Sequence, residues 1–157
     1  MKLLRVGELG SEIVAALDTN NVIRDLSDHI KDLNPQTINE GTLNKLKRIK
    51  LSEQKKVNSN IRIGACISNP VDFLAIGLNY KAHAEGTKSK LPTEPIVFNK
   101  SSGCIQGPND QIVKPKSANK MDYEVEVGMI IGREGKYIIE ENAQDYVFGY
   151  CIVNDIS

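Results

Sequence analysis

The sequence of 157 residues has no tryptophan, and aromatic residues make up only 5% of it. A folded core must therefore be built from aliphatic side chains. The 20 basic and 20 acidic residues cancel to a formal net charge of zero, so no overall field attracts nucleic acid or an anionic membrane. With 40% hydrophobic and 25% charged residues, the composition is that of a globular protein.

Long apolar runs and paired cysteines are missing as well. No segment approaches the roughly 18 uninterrupted apolar residues of a membrane span, and the N-terminus lacks the apolar region of a secretion signal. The three cysteines, Cys66, Cys104 and Cys151, are widely spaced and form no C-x-x-C motif. We expect ordinary buried or half-buried thiols and a reducing, cytoplasmic location.

The apolar pattern predicts a mainly β protein with short helices, of the α+β class. A small N-terminal domain is expected at 1–66, and a second domain begins at 67, where apolar runs are separated by Gly and Pro. Elements predicted for the first domain are strands at Lys2–Gly7, Glu12–Leu17 and Val22–Leu26, a helix at Thr42–Ile49 with Thr42 as its N-cap, and a polar linker or exposed loop at 52–60.

The second domain, 67–157, is expected to consist mostly of strands. Its apolar run continues to within a few residues of Ser157, so we expect the sequence to be the front part of a longer protein. Predicted strands lie at Phe73–Leu78, Ile96–Phe98, Cys104–Ile105, Ile112–Val113, Tyr123–Ile131 and Tyr146–Val153, and predicted helices lie at Tyr80–Glu85 and Glu140–Tyr146.

Three carboxylates form the first candidate site. In a strand, residues i and i+2 point to the same face, so Glu124 and Glu126 project together. An isolated E-V-E triplet is ordinarily a strand with one solvated face. Here the apolar run 127–131 does not alternate, which favours a strand entering a buried sheet. Asp155 follows another apolar run, where an unpaired charge is costly.

Carboxylates that meet in this way need a cation or raised pKa values. Two like charges at about 4 Å repel by about 4 kcal/mol at an effective dielectric of about 20. Oxygen-only ligands favour Mg²⁺ or Mn²⁺, with Ca²⁺ as a further candidate, and the absence of Cys or His at ligand spacing argues against zinc.

A histidine forms the second candidate site. His83 follows a predicted strand at the start of a predicted helix and could act as a general base. Alternatively, His83 is a surface or helix-capping histidine. We interpret His29 in that way.

Five motifs then follow one another in an order that resembles the fumarylacetoacetate hydrolase family. The resemblance covers about Phe73 to Ser157, and Lys2–Arg5 and Ile23–Ser27 resemble the small leading domain of bacterial members. The motifs are G-L-N-Y-x-x-H at 77–83, E-P-I-V-F-x-K-S-S at 94–102, G-P-N-D at 107–110, D-Y-E-V-E-V-G at 122–128 and G-Y-x-x-x-N-D-x-S at 149–157.

The resemblance implies a mixed β-roll built around Mg²⁺ or Mn²⁺, and a homodimer when the protein is full length. It implies that Glu124, Glu126 and Asp155 hold the metal and that His83 activates water or transfers a proton.

Many members pair that histidine with a Glu three positions later. This sequence has Gly86 there, and the nearest acid, Glu85, is the candidate partner. Tyr80 and Lys100 are candidates for substrate binding, with a solvated loop as the alternative for Lys100.

The expected substrate is a small keto acid. The reaction is hydrolysis or lysis of a C–C or C–N bond in an acylpyruvate, a diketo sugar acid or ureidoglycolate, with decarboxylation or hydration also open. The alternative is a catalytically inactive fragment or metal-binding module of the same family. Neither nucleic acid nor a membrane is an expected partner.

Overall fold

A computed structural model describes residues 1–87 and 89–157. Within these ranges, no helix is both long and apolar enough to cross a membrane. In chain order, the elements are β1 (Lys2–Val6), β2 (Ile13–Leu17), β3 (Ile23–Asp25), α1 (Glu40–Lys47), β4 (Phe73–Gly77), α2 (Lys81–Gly86), β5 (Ile96–Lys100), β6 (Val125–Ile131) and β7 (Val147–Asn154).

The N-terminal sheet is antiparallel, in the order β1-β2-β3. Asp18 closes the turn between β2 and β3, because its Oδ1 accepts the N–H groups of Asn20 and Val22 at 2.8 and 3.0 Å. Asn21 adopts a positive φ of 58° there, a conformation that Asn tolerates better than most residues. The hairpin-rich start predicted from the turn residues is confirmed.

The core beside this sheet is aliphatic, as the lack of aromatics predicts. Leu46, on α1, is fully buried in it. Two elements from the far end of the sequence, β6 and β7, also contribute to it through the half-buried Ile130 and Phe148. The buried members are Val14, Ala16, Leu26, Ile30, Leu33, Ile38 and Leu46.

The predicted start of α1 is wrong by about two residues. Asn39, and not Thr42, is the N-cap, since its side-chain oxygen accepts the Thr42 N–H at 2.9 Å. The apolar spacing that predicted this helix reports only its buried face, whereas the cap depends on a polar side chain one turn earlier.

Two further predictions, both of strands, need correction. Neither Cys104–Ile105 nor Ile112–Val113 is a strand, because two apolar residues alone cannot secure a ladder partner. Ser102–Cys104 is instead a 3₁₀ turn, in which the Ser101 hydroxyl accepts the Gly103 N–H at 3.2 Å. The helix predicted at Glu140–Tyr146 is confirmed with the same bounds, and it is a 3₁₀ helix. The polar segment 52–60 is mostly exposed, as predicted for a linker or loop. It contains the end of another 3₁₀ turn, Leu51–Glu53, and Lys56 forms an isolated bridge with Arg24.

The described chain divides into two compact units. One contains Met1–Ser68 and Gln106–Ser157, and the other contains Asn69–Ile105. In the second unit, β4 and β5 pair antiparallel with Gly77 opposite Ile96. The domain boundary between residues 66 and 67 stays a prediction, because this division follows contacts and not sequence order.

A half-buried network of charges joins the N-terminal sheet to the G-P-N-D motif. Glu12, whose side chain is only 4% exposed, receives hydrogen bonds from Arg5 at 3.2 Å and Arg62 at 2.8 Å. Arg62 also donates hydrogen bonds to both carboxylate oxygens of Asp110, at 2.8 and 2.6 Å. The Asp110 carboxylate in turn accepts a hydrogen bond from the Gly107 N–H at 2.8 Å. The motif therefore has a structural role.

We expect Glu12→Gln to lower the free energy of unfolding by about 2 to 4 kcal/mol, because Arg5 and Arg62 lose the buried negative charge that both of them contact. Lowering the pH should also reduce the free energy of unfolding of the wild-type protein. Burial alone raises the pKa of Glu12, but hydrogen bonds led by that from Arg62 lower it below its usual value. The stabilisation is therefore present above the unfolded-state pKa and is lost as pH falls through the folded-state pKa.

Denaturant unfolding at neutral pH and at successively lower pH tests this expectation. Glu8→Gln is the matched control, since Glu8 is an exposed glutamate in the same loop. Equal unfolding midpoints for Glu12→Gln and Glu8→Gln at neutral pH would contradict the proposed role of the network.

Candidate functional site

The β6–β7 ladder continues past its regular ends and carries the predicted carboxylates. Val125 lies opposite Asn154, and Glu126 lies opposite Val153. One step further, the Asp155 N–H donates to the Glu124 carbonyl at 2.8 Å. The same register continues to Asp122 and Ser157, whose main chains exchange hydrogen bonds of 2.8 and 3.3 Å.

This register places the three predicted carboxylates on one face. Glu124 and Glu126 are two residues apart, and Asp155 is directly opposite Glu124, so all three side chains leave the same side of the ladder. All three are half-buried. The strand geometry that sequence spacing predicts for the two glutamates is confirmed, and the ladder brings Asp155 to the same face.

The other face of the ladder is apolar and exposed, which corrects the expectation of a strand buried on both sides. Exposure alternates strictly along β6, and Val127 is 63% exposed. The face that bears the glutamates is the less exposed one, because Ile130 on the same face packs on the core beside the N-terminal sheet. The exposed apolar side chains are Val125, Val127, Met129, Ile131, Tyr150 and Ile152.

Two residues that sequence reasoning missed also lie at this end of the ladder. The Ser157 hydroxyl donates to Oε1 of Glu124 at 2.8 Å. Asp122 lies two residues before Glu124 and is therefore on the same face, so this spacing could have identified it as a site residue from the sequence. An open cleft lies beside them, lined by Asn119, Lys120, Met121, Asp122 and Ser157.

The donor set suits a hard divalent cation in its chemistry. Carboxylate and hydroxyl oxygens are the ligands that Mg²⁺, Mn²⁺ and Ca²⁺ prefer. The side chains are not gathered around a common point, however. Among residues 1–87 and 89–157, no three His, Cys, Asp or Glu side chains converge closely enough to hold a metal ion. The backbone thus supplies the shared face, and ligation by these residues stays a prediction.

His83 lies on α2, the short helix that follows β4, and its side chain is exposed. The helix is anchored by the fully buried Ala84. Its last turn is closed by Thr87, whose N–H and hydroxyl both donate to the His83 carbonyl at 3.0 Å.

Glu85 is not oriented toward His83 by this helix. Residues two apart lie on different sides of a helix, whereas residues four apart are neighbours. Accordingly, Oε1 of Glu85 lies 3.8 Å from Nζ of Lys81, and both side chains are largely exposed. The role of Glu85 as partner of the histidine stays a prediction that this geometry does not favour.

The two candidate substrate residues lie in the same unit as His83. Tyr80 is the N-cap residue of α2 and is 46% exposed. Lys100 ends β5, is half-buried, and places its Nζ 5.4 Å from the centre of the Phe98 ring. Residues of the first two motifs, among them Asn79 and Glu94, line a cleft at the end of β4 and the start of β5, at the opposite end of the ladder from Lys100.

Solved structures share this fold. A fumarylacetoacetate hydrolase from Exiguobacterium antarcticum is 26% identical, with a TM-score of 0.73 over 99% of this chain and 56% of that chain. A protein from Mycobacterium abscessus named as a 2-hydroxyhepta-2,4-diene-1,7-dioate isomerase is 28% identical, with a TM-score of 0.71 over 99% of this chain and 52% of that one.

A third structure is similar in fold alone. Maleylpyruvate hydrolase from Sphingobium sp. SYK-6, solved with manganese(II) and pyruvate, is 20% identical, with a TM-score of 0.78 over 99% of this chain and 58% of that one.

Residues 72–157 match the family model described as fumarylacetoacetate hydrolase C-terminal. The chain therefore belongs to the fumarylacetoacetate hydrolase family. A Burkholderia ambifaria protein with only a general hydrolase name is 45% identical over all 157 residues, which span 56% of its length. The chain thus spans little more than half the length of this relative.

Proposed function

We propose that this chain carries the metal-binding part of an enzyme that hydrolyses or lyses a small keto acid such as an acylpyruvate. The observation that supports the proposal best is the shared face of Glu124, Glu126 and Asp155 at the end of the β6–β7 ladder. Three acidic groups on one face repel one another, and a bound cation would offset that repulsion. Family membership supports the same chemistry, since similar structures include hydrolases and an isomerase.

In this proposal the three carboxylates hold Mg²⁺ or Mn²⁺, with Ca²⁺ as a weaker candidate. The bound ion would supply Lewis acidity toward the carboxylate and carbonyl oxygens of the substrate. The protein residues hold and orient the ion. Ser157 supports Glu124 by donating a hydrogen bond to it, and Asp122 adds negative charge on the same face.

His83 is proposed as the group that accepts a proton from the attacking water. Its assignment rests on the G-L-N-Y-x-x-H match and on its exposed position on α2. Tyr80 and Lys100 are proposed to bind the substrate, because a phenol and an ammonium group can both hydrogen-bond to a keto acid.

A non-catalytic metal-binding module is the second candidate. One observation favours it: Glu85 is not aligned with His83 on α2 and lies beside Lys81 instead. The substrate branch within the enzyme proposal also stays open between acylpyruvates, diketo sugar acids and ureidoglycolate.

Calorimetric titration of this chain with Mn²⁺, Mg²⁺ and Ca²⁺, combined with an assay of acylpyruvate turnover, distinguishes the two candidates. The enzyme proposal expects saturable Mn²⁺ or Mg²⁺ binding and metal-dependent loss of the ultraviolet absorbance of the substrate. Binding without turnover would favour the metal-binding module. Absence of saturable binding by any of the three ions would contradict both.

The homodimer and the cytoplasmic location expected from the resemblance and from composition stay proposals. So does the absence of nucleic-acid and membrane partners, which rests on the zero net charge.

A further inference from the structure

One side of the β6–β7 ladder is an exposed apolar strip, called the apolar face below. It contains alternate residues of β6 and two residues of β7 that lie opposite them, and Tyr123, two positions before Val125, extends it. Each of these side chains is between 52% and 75% exposed. The members on the two strands are Val125, Val127, Met129, Ile131, Tyr150 and Ile152.

The register of the ladder makes the apolar face continuous across both strands. Val127 lies opposite Ile152, and Met129 lies opposite Tyr150, so two neighbouring cross-strand pairs form its centre. The tip of Tyr150 is also held, because its hydroxyl donates to Oε1 of Gln144 at 2.8 Å. The apolar face is therefore an ordered surface that loses little conformational freedom when it is covered.

The exposed area of this face is that of a protein interface. An apolar side chain that is half to three quarters exposed presents about 100 Å², so the face presents roughly 700 Å², close to the ~800 Å² that each partner contributes to a stable complex. Scattered apolar residues are normal on a protein surface. A contiguous patch of this size commonly marks a binding surface.

The face also carries no charge that would oppose its burial against an identical face. The charged residues of the range 123–131 are Glu124 and Glu126, and both leave the other side of the ladder. Asn154, opposite Val125, is the polar residue at one end of the strip, and it is neutral. The zero net charge of the chain adds no overall repulsion between two copies.

A second layer is needed to cover the apolar face. A strand added at an edge of the ladder would widen the sheet and leave this flat side exposed. Sheets bury an apolar side by packing face to face on another sheet, at a separation of about 10 Å. A second copy of the chain supplies such a sheet, with the same area and the same lack of charge.

We propose that the apolar face is the surface on which two copies of this chain associate, sheet against sheet, in a closed dimer. The contact uses the same residues on both copies, so it closes at two. Glu124 and Glu126 leave the opposite side of each ladder, so this contact does not cover the candidate metal ligands. The proposal is therefore independent of the proposed function.

Sedimentation velocity over a series of protein concentrations tests the proposal on the wild-type chain. We expect a reversible change from 17.3 kDa toward twice that mass as the concentration rises. A mass that stays at 17.3 kDa up to the solubility limit would contradict the proposal. Growth beyond two copies would contradict it as well, because a closed contact offers no surface for a third.

Val127→Lys should raise the dimer dissociation constant by about 30-fold or more, since loss of one central interface side chain can have that effect and an ammonium group would also be buried. Val113→Lys is the matched control, because Val113 is 86% exposed and lies outside the strands. It should dimerise as the wild type does. Equal dissociation constants for the two variants would overturn the assignment to the apolar face.

Hydroxyl-radical footprinting locates the contact without any variant. Met129 and Tyr150 should be oxidised more slowly in concentrated than in dilute solution, relative to Tyr137. That tyrosine is 89% exposed and lies outside the ladder. A dimer in which Met129 and Tyr150 gain no protection would show that the two copies associate through another surface, and the proposal would be wrong.

A last measurement tests the competing occupant of the face. The part of the Burkholderia ambifaria relative that this chain does not span is produced separately and added to the wild-type chain. The proposal expects the dimer to persist. A one-to-one complex that replaces the dimer, and that Val127→Lys does not form, would assign the apolar face to that segment instead of a second copy.

Discussion

Glu126→Gln is expected to abolish metal-dependent turnover and to weaken Mn²⁺ binding by about 100-fold or more. Substitution of groups that merely support metal ligands already costs about 10- to 100-fold in affinity, and this change removes one of three proposed ligand charges. Glutamine keeps the shape of the side chain and one neutral oxygen, so an effect on the fold should be small. Calorimetric titration with Mn²⁺ measures the affinity directly.

Two companion variants make this result specific to the shared face. Glu124→Gln should have a similar effect, because Glu124 lies opposite Asp155 in the same ladder. Glu140→Gln is the control, since Glu140 is an exposed glutamate of the 3₁₀ turn between β6 and β7. If Glu124→Gln and Glu126→Gln bind Mn²⁺ as tightly as Glu140→Gln does, the proposed metal ligands are wrong.

His83→Asn is expected to reduce turnover by about 10²- to 10⁴-fold, the usual contribution of a general base, while Mn²⁺ affinity stays unchanged. Asparagine retains hydrogen-bonding groups but cannot accept a proton at neutral pH. The split between lost turnover and retained binding distinguishes a proton-transfer role from a loss of the metal site. Steady-state assay and calorimetry on the same preparation measure both quantities.

The second histidine of the chain provides the matched control. Nε2 of His29 lies 2.8 Å from Oε1 of Gln54, which makes this residue part of the N-terminal domain's structure. His29→Asn should therefore retain turnover in any preparation that is folded by circular dichroism. Full activity of His83→Asn would show that His83 has no role in the mechanism, and it would not bear on the proposed metal ligands.

Local patterns predict those features that depend on neighbours in sequence. The turn at Asp18–Asn21 follows from residues that hydrogen-bond to their own backbone, and the hairpin-rich start follows from it. The common face of Glu124 and Glu126 follows from the strand period of two. Helix α1 is correctly located by its apolar spacing, but its start depends on the Asn39 side chain, which that spacing does not reveal.

Features that join distant segments could not be predicted in this way. The register of β6 and β7 decides that Asp155 lies opposite Glu124, and a shift by one residue would have turned it to the other face. The paired hydrogen bonds from Arg62 to Asp110 link residues that are 48 positions apart.

The sequence by itself determined the family, the aliphatic nature of the core, the strands around the acidic motif and the identity of the candidate ligands, because these depend on residue type and short-range periodicity. Only the tertiary structure decided which face of the β6–β7 ladder packs on the core and which acids share that face. Those outcomes depend on chain register and on packing between segments far apart in sequence, where each contact is fixed by many weak interactions acting together.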